Sequence, residues 1–417
     1  MKLQQYTAPV TAKGMEDTTF YIYNRLLSLN EVGDDPHRFG VTVLAFHRAN
    51  RERQRQWPHG MLATSTHDNK RAEDVRARLN VLAEMPDTWR ERLRHWERIN
   101  RLHVGHAQDQ RTPSRNDEYR LYQTLLGTWP LAPPDEAAMA TYRERIASYM
   151  LKAIREAKVH SSWLNPNADY EAGVIAFVDA LLGEPSSSPF LAAFTPFAER
   201  IARLGMFNSL SQVLLKLSCP GVPDFYQGSE IWDFSLVDPD NRRPVDYTIR
   251  RQMLEQMQAV FGEATGVTDF AASLLDAMDD GRIKLFMIWR ALALRHRMPA
   301  VFLHGDYLPL RVTGARGEHL VAFARVHADE TIVVAAPRLV SKLGMEAHRG
   351  LGEEAWQDTT LLMPCAGLWE NLFTGERLEV HPQPSAPPTL AASRLFGRFA
   401  WALLAKLGTE TREIANR

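Results

Sequence analysis

Between Met61 and Arg78 the sequence reads MLATSTHDNKRAEDVRAR. The apolar run Met61-Leu62-Ala63-Thr64 turns polar at Ser65-Thr66-His67-Asp68-Asn69-Lys70, and helical spacing follows at Val75, Leu79, Leu82 and Ala83. The pattern predicts a strand, a polar loop and a helix. A His-Asp pair on such a loop is well placed to meet a substrate. The competing reading is that Asp68 caps the helix and His67 packs beside it, since Asp and Ser/Thr favour helix starts in any protein. The residues alone leave both open.

Two further stretches carry groups suited to a polyhydroxylated ligand. Lys13-Gly14-Met15-Glu16-Asp17 precedes the aromatic-rich Thr18 to Tyr23, and a sugar site needs charged partners for hydroxyls and aromatic rings for ring faces. The same residues also suit a turn with a helix N-terminus that favours acids. Downstream, Asp224-Phe225-Tyr226-Gln227-Gly228-Ser229-Glu230 reads as a short aromatic strand ending in Gly-Ser-Glu, continued by the loop Asp238 to Pro244. Arg242 and Arg243 are expected to pair with the acids of that loop. Trp57 suits packing better than a sugar platform. His95, His103 and His106 form no HExxH pattern and have no carboxylate at ligand spacing, so no metal and no cofactor is expected.

The elements that must position these groups follow from periodicity. Pro9-Val10 is expected to lead into a strand, and Leu26 to Val32 forms an element closed by the turn Gly33 to Pro36. Asp87 suits an N-cap, with Trp89, Leu93 and Trp96 on a buried stripe. Residues 107 to 134 are polar around an apolar island, Tyr119 to Trp129. Helices are expected from Asp135 through Lys158, from Tyr170 to Leu182 and from Pro196 to Leu217, with a linker-like break from Pro185 to Pro189. That much helix between two strands exceeds a plain crossover and implies an inserted helical subdomain. Helices over 245 to 262 and 282 to 298 precede short β-rich runs from Leu308 onward, which predict a separate all-β domain. Leu395 to Leu404 suits strand or helix.

Composition narrows the class. A chain of 417 residues can hold two or three domains, and 45% hydrophobic with 24% charged residues is ordinary for a soluble globular protein. A net charge of -1 gives no reason to expect nucleic acid or an anionic membrane as partner. Cys219 and Cys365 make neither a disulfide framework nor a metal spacing. No signal-length apolar core and no membrane-length run occurs, so a cytoplasmic protein is expected. No fixed-period repeat is present.

The stretch STHDNKRAEDVRAR resembles the seventh-strand region of the maltooligosyl trehalose synthases, intramolecular glucosylmutases of the α-amylase family. Lys13 to Pro36 and Pro220 to Asp246 (PGVPDFYQGSEIWDFSLVDPDNRRPVD) resemble the same family, in the expected order. The resemblance implies an α/β plus all-β fold: the C-terminal portion, about strands six to eight, of a (β/α)8 barrel with an inserted helical subdomain, followed by a C-terminal β-sandwich-like domain. The implied segments are 1–84 with strands six and seven, 85–217 with the inserted helices, 218–298 with strand eight and closing helices, and 299–417 as the β domain. It implies rearrangement of the reducing-end α-1,4 linkage of maltooligosaccharides to α,α-1,1. Asp68 takes the place of the carboxylate that steadies the transition state. His67, Lys70, Lys13, Glu16, Asp17, Tyr226 and Glu230 take the place of substrate-binding residues.

In that family the nucleophile ends strand four and the general acid ends strand five, both upstream of the region matched here. No stretch fits the strand-four Arg-x-Asp pattern; Arg115-Asn116-Asp117 lies downstream in a polar segment, and no isolated Glu occupies a strand-five context. A barrel without its first strands has open edges that pair with another chain. The expectation is therefore an enzyme fragment completed by a separate N-terminal half, a truncated or misread coding region, or a non-catalytic α-glucan-binding fragment.

Overall fold

A computed structural model describes residues 1–183, 188–262, 267–345 and 352–408. The chain divides into two compact units, one of residues 1–39, 65–205 and 233–243 and the other of residues 40–64, 206–232 and 244–417. The helix Pro189–Ser218 contributes residues to both. No helix among the described residues is long and apolar enough to cross a membrane.

The first unit is mainly helical. Helices Glu73–Asn80, Pro86–Ile99, Arg115–Thr128, Glu136–Ala157 and Ala168–Leu181 share an aromatic core. At its centre Trp96, fully buried, has the rings of Trp89, Tyr122, Phe190, Phe194 and Phe197 within 5.2–5.9 Å. Such edge and tilted contacts add to the burial of large apolar area. The stripe of Trp89 and Trp96 is thus core, as its spacing predicts. Ser114, Asp135 and Asn167 cap the third, fourth and fifth helices by accepting the N–H three residues on. Gly127 lets Arg115–Thr128 approach Glu73–Asn80 closely, since a Cβ there would stand 2.7 Å from Val75 Cγ1.

The second unit holds the larger sheets. Six antiparallel strands run in the order Arg377–Val380, Gly367–Asn371, Ala402–Lys406, Glu330–Pro337, Leu320–His327 and Asp306–Pro309. A smaller antiparallel sheet joins Thr389–Ala391, Thr360–Leu362 and Val312–Thr313. Ile332 to Ala336 and Leu403 to Leu404 are buried, and Trp401 stacks on Phe207. Separately, Met61–Leu62 pairs in parallel with Val222–Pro223. Gly221, at φ +126°, makes that pairing possible: a Cβ would lie 2.8 Å from the Gly60 carbonyl oxygen.

Several sequence expectations are corrected. Pro9-Val10 lies in the helix Lys2–Thr11, which has no buried residue, so local hydrogen bonding alone shapes it. Lys13 to Glu16 continues it as one wide turn, Ala12–Glu16, and the acids therefore stand at a helix C-terminal end, not an N-terminal one. Asp87 sits in the first turn of its helix and binds Arg90, because Pro86 takes the first helical position and Met85 the cap. Residues 107 to 134 hold half of a hairpin and the helix Arg115–Thr128; Gln108 and Asp109 both adopt positive φ, the geometry of a tight two-residue hairpin turn. The aromatic strand expected at Asp224 to Tyr226 is a loop, since the ladder ends at Pro223. Trp57 is 71% exposed and packs no core. Leu395 to Leu404 contains both predicted states, the end of helix Ala392–Leu395 and the start of strand Ala402–Lys406. Of the expected break at Pro185 to Pro189, residues 185–187 lie outside the described residues, and a helix begins at Pro189.

Candidate active-site loop

In the first unit, the loop from Ser65 to Arg71 is buried at its ends and exposed at its tip. Ser65, Asn69, Lys70 and Arg71 are buried, whereas the side chains of His67 and Asp68 stand in solvent. The following helix takes its cap from Ser65, whose Oγ accepts from the Glu73 N–H at 2.9 Å. Ala72 occupies the N-cap position. Asp68 is therefore not spent on capping, and that competing reading of the sequence fails.

The tip is fixed through its backbone. Asn69 Oδ1 accepts from the Thr66 N–H, and Thr66 Oγ1 accepts from the Asp68 N–H at 3.2 Å. Asn241 Nδ2 donates to the His67 carbonyl at 3.0 Å. Beneath the tip lies Glu31, 3% exposed, whose carboxylate accepts from Val32 N–H (2.8 Å), Lys70 N–H (2.8 Å) and Arg71 N–H (3.2 Å). The Arg71 guanidinium, also buried, donates to the Tyr149 hydroxyl at 2.7 Å. Glu31 was not singled out from the sequence, where it is one acid in the mostly apolar segment Leu26 to Val32.

Beside the loop, Lys70 Nζ and Lys13 Nζ each bind one oxygen of Asp17 at 2.6 Å. Burial pushes the Asp17 carboxyl up, but the hydrogen bonds and charges of Lys13 and Lys70 outweigh it and hold the group below its ordinary value. The Asp17 hydrogen bond and charge in turn raise Lys13. Lys70 is only 4% exposed, so it meets Asp17 and the face of Tyr21 in place of solvent. Glu16 Oε1 accepts from Gly33 N–H at 3.4 Å. The structure thus brings Lys13, Asp17 and Lys70 into one ion cluster.

Two loop acids further along the first unit are similarly paired. Lys152 binds Asp238 at 2.7 Å, and Arg145 binds both oxygens of Asp240 at 2.9–3.0 Å. Arg242 reaches Asp238 at 3.8 Å and Arg243 reaches Asp240 at 3.0 Å, the pairings expected from the sequence.

Tyr226 and Glu230 belong to the second unit. There the Tyr226 carbonyl accepts from Ser229 N–H at 3.0 Å and Ser229 Oγ at 2.7 Å, closing a turn with Gly228 at φ +90°. Glu230 is bound by Arg250 Nε at 3.0 Å. Buried Lys216 donates to Thr64 Oγ1 at 2.7 Å and to the Asp224 carbonyl at 2.9 Å, and lies 3.6 Å from the Phe225 ring centroid. Arg115 to Asp117 opens a helix, with Asp117 bound to Arg120 at 3.1 Å and to the Tyr170 hydroxyl at 2.6 Å, which is structural work. Among the described residues, no group of three or more His, Cys, Asp or Glu side chains could hold a metal ion.

An exposed carboxylate and imidazole thus stand at the tip of a loop whose base is buried and hydrogen-bonded. No family model matches the chain. The putative maltooligosyl trehalose synthases of two Mycobacterium tuberculosis strains are 38% identical to it over 376 residues, 90% of this chain and 42% of theirs. Maltooligosyltrehalose synthase from Arthrobacter ramosus is similar in structure with a TM-score of 0.75 at 33% identity, over 95% of this chain and 45% of that one. A hypothetical maltooligosyl trehalose synthase of Sulfolobus tokodaii gives 0.68 at 30% identity, over 97% and 47%. In sequence and fold the chain belongs with the maltooligosyl trehalose synthases, and it spans less than half the length of these relatives.

Proposed function

We propose that this chain is the C-terminal part of a (1→4)-α-D-glucan 1-α-D-glucosylmutase, carrying about strands six to eight of a (β/α)8 barrel, inserted helices and a β domain. The similarity to maltooligosyl trehalose synthases along nine-tenths of the chain carries this reading. In the complete site a carboxylate nucleophile breaks the bond between C1 and the O4 of the terminal glucose, and a protonated carboxyl gives its proton to that O4. The freed glucose turns in the closed site, and its anomeric hydroxyl gives its proton to the now ionised second carboxylate as its oxygen attacks C1 and displaces the nucleophile, before water does. One glycosidic bond breaks, one forms, and the reducing end disappears.

Asp68 is the third carboxylate, which grips the hydroxyls of the distorted sugar more tightly in the transition state than in the ground state. His67 binds hydroxyls beside it. Lys13, Glu16 and Asp17 shape the wall, Lys70 acts by holding Asp17, and Tyr226 and Glu230 bind substrate. The nucleophile and the acid have no match in this sequence, so turnover requires the upstream barrel strands that carry them in the family. The alternative is a non-catalytic α-glucan-binding fragment, favoured by that same missing pair.

The test is incubation with maltohexaose, alone and with the unmatched N-terminal stretch of a relative added in trans, following reducing ends and free glucose. Loss of reducing ends without glucose release in the mixture, abolished by Asp68→Ala, is the expected outcome. Binding of maltohexaose with no change in reducing ends in either sample selects the alternative.

A further inference from the structure

In the second unit the helix Val43–Gln56 is docked by polar groups. Among the described residues, His47 and Asn50 are the only ones on this helix that are buried, whereas Leu44 at its start is 68% exposed. A surface helix is ordinarily held by an apolar stripe, and this one is not. His47 Nδ1 lies 2.7 Å from the Tyr307 hydroxyl. The Asn50 side chain hydrogen-bonds that hydroxyl and the Cys219 thiol, and Arg53 Nη1 donates to the Asn50 side-chain oxygen at 2.6 Å. One turn further on, the Gln54 amide donates to the Gly305 carbonyl at 2.8 Å and accepts from the Tyr307 N–H at 3.0 Å. Tyr307 belongs to Asp306–Pro309, an edge strand of the six-stranded sheet, so Gln54 stands where a further strand would pair.

Of these links, the one through His47 titrates near neutral pH. A neutral imidazole accepts the Tyr307 proton at Nδ1. A protonated ring carries N–H at both nitrogens, so the hydroxyl has to turn its proton elsewhere in a buried place. The surroundings also resist the added charge. Burial, and then the charge of Arg51 one turn along the helix, hold the imidazole below its ordinary value. Burial pushes the Cys219 thiol up to about 12 and the Tyr307 hydroxyl higher still, so neither supplies an anion. On the neighbouring strand, buried Arg325 donates to the carbonyls of Phe302, Gly305 and Ser218 at 3.0–3.3 Å. Asp306 is the acid of the edge strand, but it is exposed, and as the residue before Tyr307 it points to the opposite face. The charges that act on the His47–Tyr307 pair, Arg51 and Arg325, are therefore cations.

We propose that the helix Val43–Gln56 is an acid-released latch: its first half rests on the sheet edge while His47 is neutral and accepts from Tyr307, and detaches when the imidazole takes a proton. A detached imidazole titrates at about 6.5 and the docked one lower, so attachment is complete above that value and weakens as pH falls below it. Gln54 keeps both of its bonds at any pH. The end of the helix that leads towards the strand Met61–Leu62 therefore stays docked while residues 43–50 open. This inference does not rest on the glucan reading.

Hydrogen exchange of the intact chain, followed by mass spectrometry at about pH 7.5 and about pH 5 and expressed as protection factors, tests it. In the wild type, protection over residues 43–50 falls several-fold at the lower pH, and protection at the Gln54 end falls less. His47→Asn keeps a neutral acceptor near the Nδ1 position and loses the pH dependence. Tyr307→Phe removes the hydroxyl and lowers protection over residues 43–50 already at the higher pH. A wild-type change within about twofold overturns the latch, and that comparison needs no variant to fold. An equal fall in wild type and His47→Asn overturns it as well, since the titrating group then lies elsewhere.

Discussion

The loop from Ser65 to Arg71 takes its anchors from far along the chain, whereas the turn from Tyr226 to Glu230 takes most of its own from within. Glu31 reaches Lys70 and Arg71 across 39 and 40 residues, and Asp17 reaches Lys70 across 53. The second turn closes on the Tyr226 carbonyl three residues back and adds one partly exposed ion pair with Arg250. The first arrangement fixes a loop whose only exposed charged groups at the tip are those suited to chemistry. Its neighbours are buried and hydrogen-bonded, so His67 and Asp68 stand on a fixed base. The second arrangement supports itself and presents Glu230 already paired.

The sharpest way to break that contrast is at Glu31. Glu31→Ala leaves the N–H groups of Val32, Lys70 and Arg71 without their acceptor in a buried place, a loss of about 3–5 kcal/mol in urea unfolding. Glu31→Gln keeps one acceptor and recovers part of it. A loss under about 1 kcal/mol for the alanine variant would mean that the loop is held by its own turn, like its counterpart.

How far these features could be read in the sequence depended on their range. Asp135, which caps its helix three residues on, and the Trp89–Trp96 stripe are local patterns, and periodicity finds them. Arg242 and Arg243 lie four and three residues from the acids they bind, so charge spacing suffices. Glu31 has no such local signature: an acid in an apolar run is ambiguous until the chain brings Lys70 and Arg71 over it. Ser65 caps the helix start at Glu73 from eight residues away, and the nearer Asp68 attracted that assignment instead. The hairpin turn at Gln108-Asp109 lacks the usual glycine, and its strands are three residues each, too short for an alternating pattern to register. His67 and Asp68 were marked by the strand, loop and helix pattern and then favoured by resemblance, whereas their exposure and hydrogen-bonded footing required coordinates.

Asp17 provides a smaller and pH-dependent test. Its carboxyl is about 3.9 when unfolded and lower when folded, where Lys13 and Lys70 overcome the effect of burial. A carboxyl with a depressed folded value stabilises the protein fully above its unfolded value, and that contribution is lost as pH falls through the folded one. Asp17→Asn should therefore cost about 2 kcal/mol near neutral pH, a figure reduced from that of a fully buried pair because Asp17 keeps a quarter of its surface in water. Unfolding curves of wild type and variant should converge in strong acid. A difference that persisted unchanged at the lowest pH would assign the stabilisation to packing of Lys70 against Tyr21 and not to the ion cluster.

The smallest effect is expected at Glu230, and it sharpens the comparison from the other side. Its bond to Arg250 is one contact in a set: the same guanidinium donates to the Gly228 carbonyl at 2.8 Å and to the Asp246 carbonyl at 2.9 Å. With Glu230→Gln the guanidinium keeps both carbonyls, and the turn keeps the two hydrogen bonds from Ser229 to Tyr226. The predicted loss is about 0.5–1 kcal/mol, the scale of a partly exposed ion pair, and it should shrink further as salt screens the pair. Measured beside Glu31→Ala under the same conditions, the two values should differ several-fold. Comparable losses would show that both polar segments rest on buried charge, and the distinction between a positioned loop and a self-supporting turn would fail at its second term.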